Sequence, residues 1–477
     1  MLRITERSAA DLARAIGARQ VSAREVVEAH IERLARTAWR INALAAERFE
    51  RALQDAAAAD QLIAREAPGA KLPPLLGVPF AVKESIALAG MPQAAGLLAR
   101  REYRATETAP VVQRLISAGA IPLGVTNTSE LTLWIESSNR LYGRTSNPYD
   151  PRRTAGGSSG GEGAAVGSGG SPFGIGSDIG GSIRLPAFFC GVFAHKPSPG
   201  LISNSGHWPP TTGEAARLLA TGPLARRAED LIPVLRIMMG PDGRDPLARS
   251  VALGDPSSVS LENLLVTTVE DASLLPMSRE LRDARERAAG ALAAAGARVR
   301  RVSLHSWRRA ALPFLVTLQA GAELTACALV GEGGAELPTL RTLIRRGGPH
   351  TLATRITLAA ELLPQPKGAG RGRLLAAGRA LASELVDAIG DGVLLHPAYP
   401  RLAPRHGATV GRPWLMTPAA VFNLAGVPVT EVPLGLSTRG LPLGVQVAAG
   451  RDRDHVSIAV ALELERVFGG WVPPAYP

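Results

Sequence analysis

A tract rich in glycine and serine, residues 156–206, carries the residue types that point most directly to chemistry. It reads Gly156-Gly-Ser158-Ser-Gly-Gly and, further on, Gly176-Ser-Asp-Ile-Gly-Gly-Ser182-Ile-Arg-Leu-Pro. A flexible linker of this composition would not be interleaved with large apolar residues, as this tract is. A phosphate-binding loop is also a poor match, because the tract lacks the Gly-x-x-x-x-Gly-Lys-Ser/Thr pattern. The tract therefore predicts folded backbone that presents N–H groups and hydroxyls to a ligand.

The turn Ile179-Gly180-Gly181-Ser182 has the composition of an oxyanion hole. Two residues without side chains let the backbone approach a substrate carbonyl closely. Each donor in such a hole typically stabilises the transition state by roughly 3–4 kcal/mol. Ser182, at the end of the turn, is then well placed to attack that carbonyl as a nucleophile.

A serine nucleophile needs a base, and lysine is the candidate that this sequence offers. None of the eight histidines lies in a recognisable triad motif, and His195 stands in a run typical of a structural residue. Basic residues are almost all arginine, with lysine only at positions 71, 83, 196 and 367. Lys83 ends an apolar stretch, and burial would have to lower its pKa by about 3 units to make it a base at neutral pH.

These motifs closely resemble those of the amidase-signature hydrolases. The resemblance covers most of the chain, and it also rests on Gly77-Val-Pro-Phe-Ala-Val-Lys83, Lys196-Pro-Ser, Asn423-Leu-Ala-Gly-Val-Pro and Gly440-Leu-Pro-Leu-Gly-Val-Gln446. Within the family, residues 186–199 look most like the fatty-acid-amide-hydrolase branch and its bacterial relatives.

The resemblance implies a role for each site residue. Ser182 attacks the carbonyl, Ser158 relays its proton, and unprotonated Lys83 accepts that proton and returns it to the leaving amine. It also implies a cis peptide bond between Gly157 and Ser158. Supporting roles follow for the residues around the turn: Ser177 and Asp178 brace the oxyanion loop, Arg184 pairs with Asp178, and Ser159 supports the loop.

The expected activity is hydrolysis of a carboxylic amide, anilide or carbamate with an apolar acyl or aryl group, through an acyl-enzyme. Two alternatives stay open: a glutamine-hydrolysing amidotransferase subunit that acts in tRNA amidation, and a hydrolase whose main substrates are carbamates or esters. A non-enzymatic binding protein would be expected to have lost part of the triad, which is complete here. The expected partner is a small-molecule amide.

No cofactor and no metal are expected, because the two cysteines, Cys190 and Cys327, lie far apart outside any CxxC or histidine-rich context. The net charge of +11 comes from scattered arginines, which favours a solvated basic surface over nucleic-acid binding. With no signal sequence and no apolar run of about eighteen residues, we expect a cytoplasmic protein without a membrane span. Peripheral membrane contact near Trp307 and a homodimer both stay open.

The surrounding elements alternate between short apolar runs and helical stretches, which predicts an α/β fold. The family resemblance implies a mixed central β-sheet covered by helices on both faces. Ser22 and Glu25 predict a capping box in a helical first segment. Strands are predicted at 77–82, 121–125, 298–303, 392–395, 427–433 and 443–448, and helices at 109–118, 214–239, 277–295 and 456–467.

We expect a single domain over residues 1–477. Its parts would be a helical segment (1–70), a catalytic core (75–210), a helical cap (about 306–386) and strands with a helix that return to the core (392–477). Candidate walls of the substrate pocket are Trp134, Ile135, Trp208 and residues 306–320.

Overall fold

The computed structural model describes residues 3–475, except 68, 271–273, 322–324, 332–338, 340, 342 and 344–347. A mixed sheet of eleven strands runs through the described residues. In spatial order these are β1 (Leu44–Glu47), β3 (Ile121–Thr126), β2 (Pro79–Lys83), β6 (Phe173–Asp178), β8 (Ala220–Ala225), β7 (Phe193–Lys196), β12 (Val429–Leu436), β13 (Pro442–Ala449), β11 (Val393–His396), β9 (Leu265–Val269) and β10 (Arg298–Val302). A small separate sheet pairs β4 (Ser138–Asn139) with β5 (Gly143–Arg144).

Three parallel strands carry Lys83 and part of the glycine- and serine-rich tract. β2 lies between β3 and β6 and runs parallel to both. Every residue of these strands is buried, as is typical of strands that are covered on both faces. The helix α5 (Gly160–Gly167) packs against β2 and β6. The fold is therefore the predicted α/β architecture, with a large mixed sheet flanked by helices.

The first segment of the chain contains α1 (Ala9–Gly17), α2 (Ala23–Ile41) and α3 (Phe49–Arg65). The predicted capping box is confirmed, because the side chains and backbone amides of Ser22 and Glu25 bond reciprocally. The prediction that the whole segment is helical is wrong at β1, which pairs antiparallel with β3. Asn42, with a φ of 53°, ends α2 and turns the chain into that strand.

The predicted helix over 214–239 is wrong in its middle. α7 (Gly213–Leu218) ends, β8 follows as a buried strand between β6 and β7, and α8 (Leu231–Met238) comes after it. Pro223 has no N–H for a helix interior. A Cβ at Gly222 would lie 2.2 Å from the carbonyl oxygen of His195. Pairing within the sheet thus overrides the helix-like composition of the segment.

The other predicted elements are confirmed to within a few residues. They are β2, β3, β10, β11, β12, β13, α4 (Pro110–Ser117), α9 (Arg279–Ala294) and, near the C-terminus, a helix at Asp454–Phe468 that we number α15. Across the described residues, every helix is too short or too polar to span a lipid bilayer.

Most of the described part of the segment predicted as a cap is helical, with non-helical stretches such as 348–351 and 363–367 between the helices, and part of the segment lies outside the described residues. Its helices are α10 (Ala311–Leu318), α11 (Ala326–Val330), α12 (Leu352–Leu362) and α13 (Gly368–Ile389), and the chain continues to α14 (Thr417–Ala425). Side chains of α11 and α12 pack with Leu131 and Trp208 of the core. α10 packs against α7, α13 and α14.

Candidate active site

Lys83 is the last residue of β2 and is fully buried. Its Nζ lies 2.6 Å from Ser158 Oγ and 2.9 Å from Ser177 Oγ. Ser177 stands on β6, and the parallel pairing of β2 with β6 brings it beside the lysine. Folding thus brings together three predicted site residues, which lie up to 94 positions apart in the chain.

Burial lowers the pKa of Lys83 to about 7. The negative charges of Asp178, Glu162 and Glu84 act in the opposite direction. Glu162 is itself buried, and this burial raises its pKa to about 8, which weakens its opposition at neutral pH. A lysine with such a pKa exists partly as the free amine at pH 7, as a general base must.

Ser158 lies on the loop that leads into α5, and the Gly157–Ser158 peptide bond is cis, as predicted. The hydroxyls of Thr128 and Ser137 donate to the Ser158 carbonyl oxygen at 2.8 and 2.9 Å. A Cβ at Gly157 would lie 2.7 Å from backbone atoms of the neighbouring loop, so only glycine fits there. These contacts fix the loop with Ser158 Oγ facing Lys83.

Ser182 is the most open of the three proposed catalytic residues. It is 8% exposed, compared with 1% for Ser158 and 0% for Lys83. Its Oγ makes no hydrogen bond within the described part of the chain. The carbonyl of Ser182 accepts from the Ser159 amide at 3.2 Å, and Ser159 Oγ donates to the Ser177 carbonyl at 3.4 Å. Ser159 therefore joins the two halves of the tract.

The backbone amides of the glycine turn, Ile179–Ser182, differ in their hydrogen bonding. Those of Ile179, Gly180 and Ser182 have no hydrogen-bond partner among the described residues. The amide of Gly181 instead donates to Asp178 Oδ1 at 2.7 Å. The backbone of Gly181 has a φ of +117°, which side-chain-bearing residues rarely adopt. The turn thus leaves three donors free and uses the fourth to hold its own shape.

Asp178 ends β6, and Arg184 begins α6 (Arg184–Cys190). They form a buried bidentate ion pair with N–O distances of 2.9 and 3.0 Å, which confirms the predicted pair. Burial alone would raise the pKa of Asp178, but the guanidinium of Arg184 holds it below its usual value. Arg184 also donates to Asn423 Oδ1 at 2.6 Å and to Gln446 Oε1 at 2.7 Å.

An apolar wall stands over the glycine turn. A Cβ at Gly180 would lie 2.7 Å from Met416 Cε and 2.8 Å from Phe314 Cζ. Phe314 belongs to α10, so residues 306–320 do contribute a side chain here. Of the other residues proposed as walls, Trp134 and Ile135 belong to the loop next to Gly157, and Trp208 follows His207 and packs with α11 and α12. Contact of these three residues with a substrate stays a prediction.

Three residues that surround the site could not be assigned a role from the sequence. Asn423 and Gln446 stand in the motifs shared with the amidase-signature family, but no local pattern indicates that they bind Arg184. His207 Nε2 lies 2.9 Å from Ser177 Oγ, whereas the sequence offered no histidine near the base. His195, by contrast, is buried between Thr430 and Asp454, in agreement with the structural role predicted for it.

The sequence and fold of this chain are similar to those of known proteins. The family model described as Amidase matches residues 25–457. Fatty-acid amide hydrolase 2-B of Danio rerio is 43% identical, over 98% of this chain and 90% of that protein. A glutamyl-tRNA(Gln) amidotransferase subunit of Synechococcus sp. (strain WH7803) is 31% identical, over 94% of each chain. The structure of native peptide amidase from Stenotrophomonas maltophilia superposes with a TM-score of 0.78 at 25% identity, over 98% of each chain. The chain therefore belongs to the amidase-signature family and is an amide-hydrolysing enzyme.

Proposed function

We propose that this enzyme hydrolyses amides that carry an apolar acyl or aryl group, with Ser182 as nucleophile, Ser158 as proton relay and Lys83 as base. The observation that carries the proposal is the contact of 2.6 Å between Lys83 Nζ and Ser158 Oγ, made by a buried lysine whose pKa is lowered to about 7. A neutral amine against a serine hydroxyl is the arrangement that proton removal from serine requires.

In the acylation step, Lys83 takes the proton of Ser158 as Ser158 takes that of Ser182. Ser182 Oγ forms a bond to the carbonyl carbon, and the carbonyl oxygen becomes an oxyanion. When this intermediate collapses, the C–N bond breaks, and the proton on Lys83 returns through Ser158 to the leaving amine. A water molecule then releases the acid from the acyl-enzyme by the same proton route, which restores Ser182.

The oxyanion would accept from the free amides of the glycine turn, those of Ile179, Gly180 and Ser182. A donor of this kind typically contributes roughly 3–4 kcal/mol to the stability of the transition state. Gly181 donates its own amide to Asp178, so in this proposal it does not bind the oxyanion. Its contribution to the hole is its positive φ, which shapes the turn. The pair of Asp178 and Arg184 would keep the turn in place.

The apolar side chains over the turn support the choice of acyl group. Phe314 and Met416 belong to a cluster of apolar residues that also includes Ile179 and Leu218. A polar substrate such as glutamine would lose hydrogen bonds to water against this wall without regaining them. The similarity to a protein named fatty-acid amide hydrolase points in the same direction. Carbamates and esters pass through a related transition state, so we expect some turnover of both.

A substrate panel tests the proposal. Acyl p-nitroanilides of increasing chain length, one aryl anilide, one carbamate, one ester and glutamine would be assayed with the wild type, Ser182→Ala and Lys83→Ala. We expect a chain-length optimum among the anilides, no turnover of glutamine, and a loss of at least about a thousandfold in both variants. Lys71→Ala, at an exposed lysine, is the matched control and should keep full activity. Preference for glutamine would overturn the substrate class, and full activity of Lys83→Ala would overturn the mechanism.

A further inference from the structure

His207 is separated from the proposed base, Lys83, by a single side chain, that of Ser177. His207 Nε2 is 2.9 Å from Ser177 Oγ and 3.2 Å from Ser85 Oγ, and Ser177 Oγ is in turn 2.9 Å from Lys83 Nζ. A chain of hydrogen bonds therefore runs from His207 through Ser177 to Lys83 and on to Ser158. The proton relay described above uses only the last part of this chain.

The contacts of the imidazole decide the direction of these hydrogen bonds. His207 Nδ1 lies 3.0 Å from the carbonyl oxygen of Pro209, which can only accept, so Nδ1 carries a proton. Burial, helped by the positive charge of Lys83, lowers the pKa of His207 to about 4, which leaves the ring neutral at pH 7. In a neutral imidazole with its proton on Nδ1, Nε2 is an acceptor. Ser177 Oγ–H can therefore donate to Nε2.

The direction of this bond has a consequence for the lysine. If the proton of Ser177 points at His207, the oxygen of Ser177 faces Lys83 with a lone pair and accepts one of its N–H groups. A neutral amine has a single lone pair. With an N–H engaged by Ser177, that lone pair is free to face Ser158 Oγ, from which the proton must come.

We propose that His207 is a positioning residue that, through Ser177, turns the lone pair of Lys83 towards Ser158. Without an acceptor at position 207, the Ser177 hydroxyl is free to rotate and donate to Lys83, which occupies the lone pair that Ser158 needs. This inference rests on the proposed Ser182, Ser158 and Lys83 mechanism. It adds a residue that touches no reacting atom.

Two substitutions separate the hydrogen bond from the packing of the ring. His207→Phe keeps a planar ring and removes the acceptor, and we expect kcat on an acyl anilide to fall about tenfold, with KM within twofold of the wild type. His207→Gln can place an amide oxygen near the position of Nε2, so it should regain most of that loss. His455→Phe, at a half-buried histidine at the start of α15, is the matched control and should leave kcat unchanged.

A double-mutant cycle with Ser177→Ala gives the decisive result. Because His207 acts through Ser177, adding His207→Phe to Ser177→Ala should change kcat by less than twofold. Two results would overturn the inference: a kcat of His207→Phe equal to that of the wild type, or an equal tenfold loss with and without Ser177. If a thermal melt shows that His207→Phe does not fold, His207→Gln is the remaining test, and a tenfold loss of kcat in that folded variant would overturn the inference. Lys83→Ala, assayed alongside, shows separately whether the underlying mechanism fails.

Discussion

Two lysines, Lys83 and Lys196, are fully buried, and burial lowers the pKa of each to about 7. Their hydrogen-bond partners distinguish them. Lys196 Nζ donates to the carbonyl oxygen of Pro197, a group that has no proton to give. Lys83 Nζ contacts the hydroxyls of Ser158 and Ser177. These contacts favour Lys83 over Lys196 as the proposed base, and a pKa of about 7 would let Lys83 act as a base at neutral pH.

The pKa of Lys83 sets the expected pH dependence of hydrolysis. As the pH falls below about 7, Lys83 gains a proton and can no longer take one from Ser158. For an uncharged anilide, kcat/KM should fall about tenfold per pH unit on the acid side and level off above pH 8. If the base were an unburied lysine, with a pKa of about 10.4, kcat/KM would still be rising at pH 9. A profile that stays flat from pH 5 to pH 8 would contradict the assignment.

At the level of single residues, the sequence was most informative where a residue type was unusual for its surroundings. Lys83 could be singled out because lysine is rare in this chain and stands there in an apolar stretch. Ser158 and Ser182 could be singled out by their flanking glycines. His207 carries no such mark, because its contact with Ser177 spans 30 positions and exists only after folding.

Between β6 and α6, the chain is held by one carboxylate. Asp178 accepts from the amides of Gly181 at 2.7 Å and Ile183 at 3.0 Å, and from the guanidinium of Arg184. The side chain of Asn423 also donates to it, at 2.9 Å. A single buried group thus fixes the strand end, the glycine turn and the first turn of the helix relative to one another.

Asp178→Asn is expected to lower the free energy of unfolding by about 3–5 kcal/mol, because it leaves Arg184 buried without a counter-charge. Denaturant titration followed by circular dichroism measures this change. Glu28→Gln, which breaks an exposed pair with Arg24, should cost only about 0–1 kcal/mol and serves as the control. If Asp178→Asn cost no more than Glu28→Gln, the carboxylate would not be holding the turn.

Strands and helices could be predicted from sequence where local composition and tertiary pairing agree. β3 and α9 are examples, since each is a clear apolar run or a long helical stretch. β8 could not be predicted, because its neighbours β6 and β7 decide its conformation and its own residues border two helices. β1 could not be predicted for the same reason, because its pairing with β3, and not its own composition, makes it a strand.

On the scale of the whole molecule, the site is assembled from distant parts of the chain. Lys83 lies on β2, Ser158 in the loop before α5, and Ser182 in the turn after β6. Phe314 and Met416 approach this turn from the other half of the chain. The sheet connects these halves through the antiparallel pair of β7 and β12. Amide hydrolysis could be predicted from local motifs, whereas the wall that we propose to select the substrate depends on how the two halves pack.

In the proposed mechanism, Lys83 drives acylation of Ser182, and trapping of the acyl-enzyme would show both which residue is acylated and whether its acylation depends on the lysine. An acyl p-nitroanilide from the optimum of the panel would be mixed with enzyme, quenched within one turnover and analysed by peptide mass spectrometry. We predict an acyl adduct on the peptide that contains Ser182, formed at least about a thousandfold more slowly in Lys83→Ala. An adduct on another residue, or one that forms on Ser182 at the wild-type rate in Lys83→Ala, would rule out this mechanism.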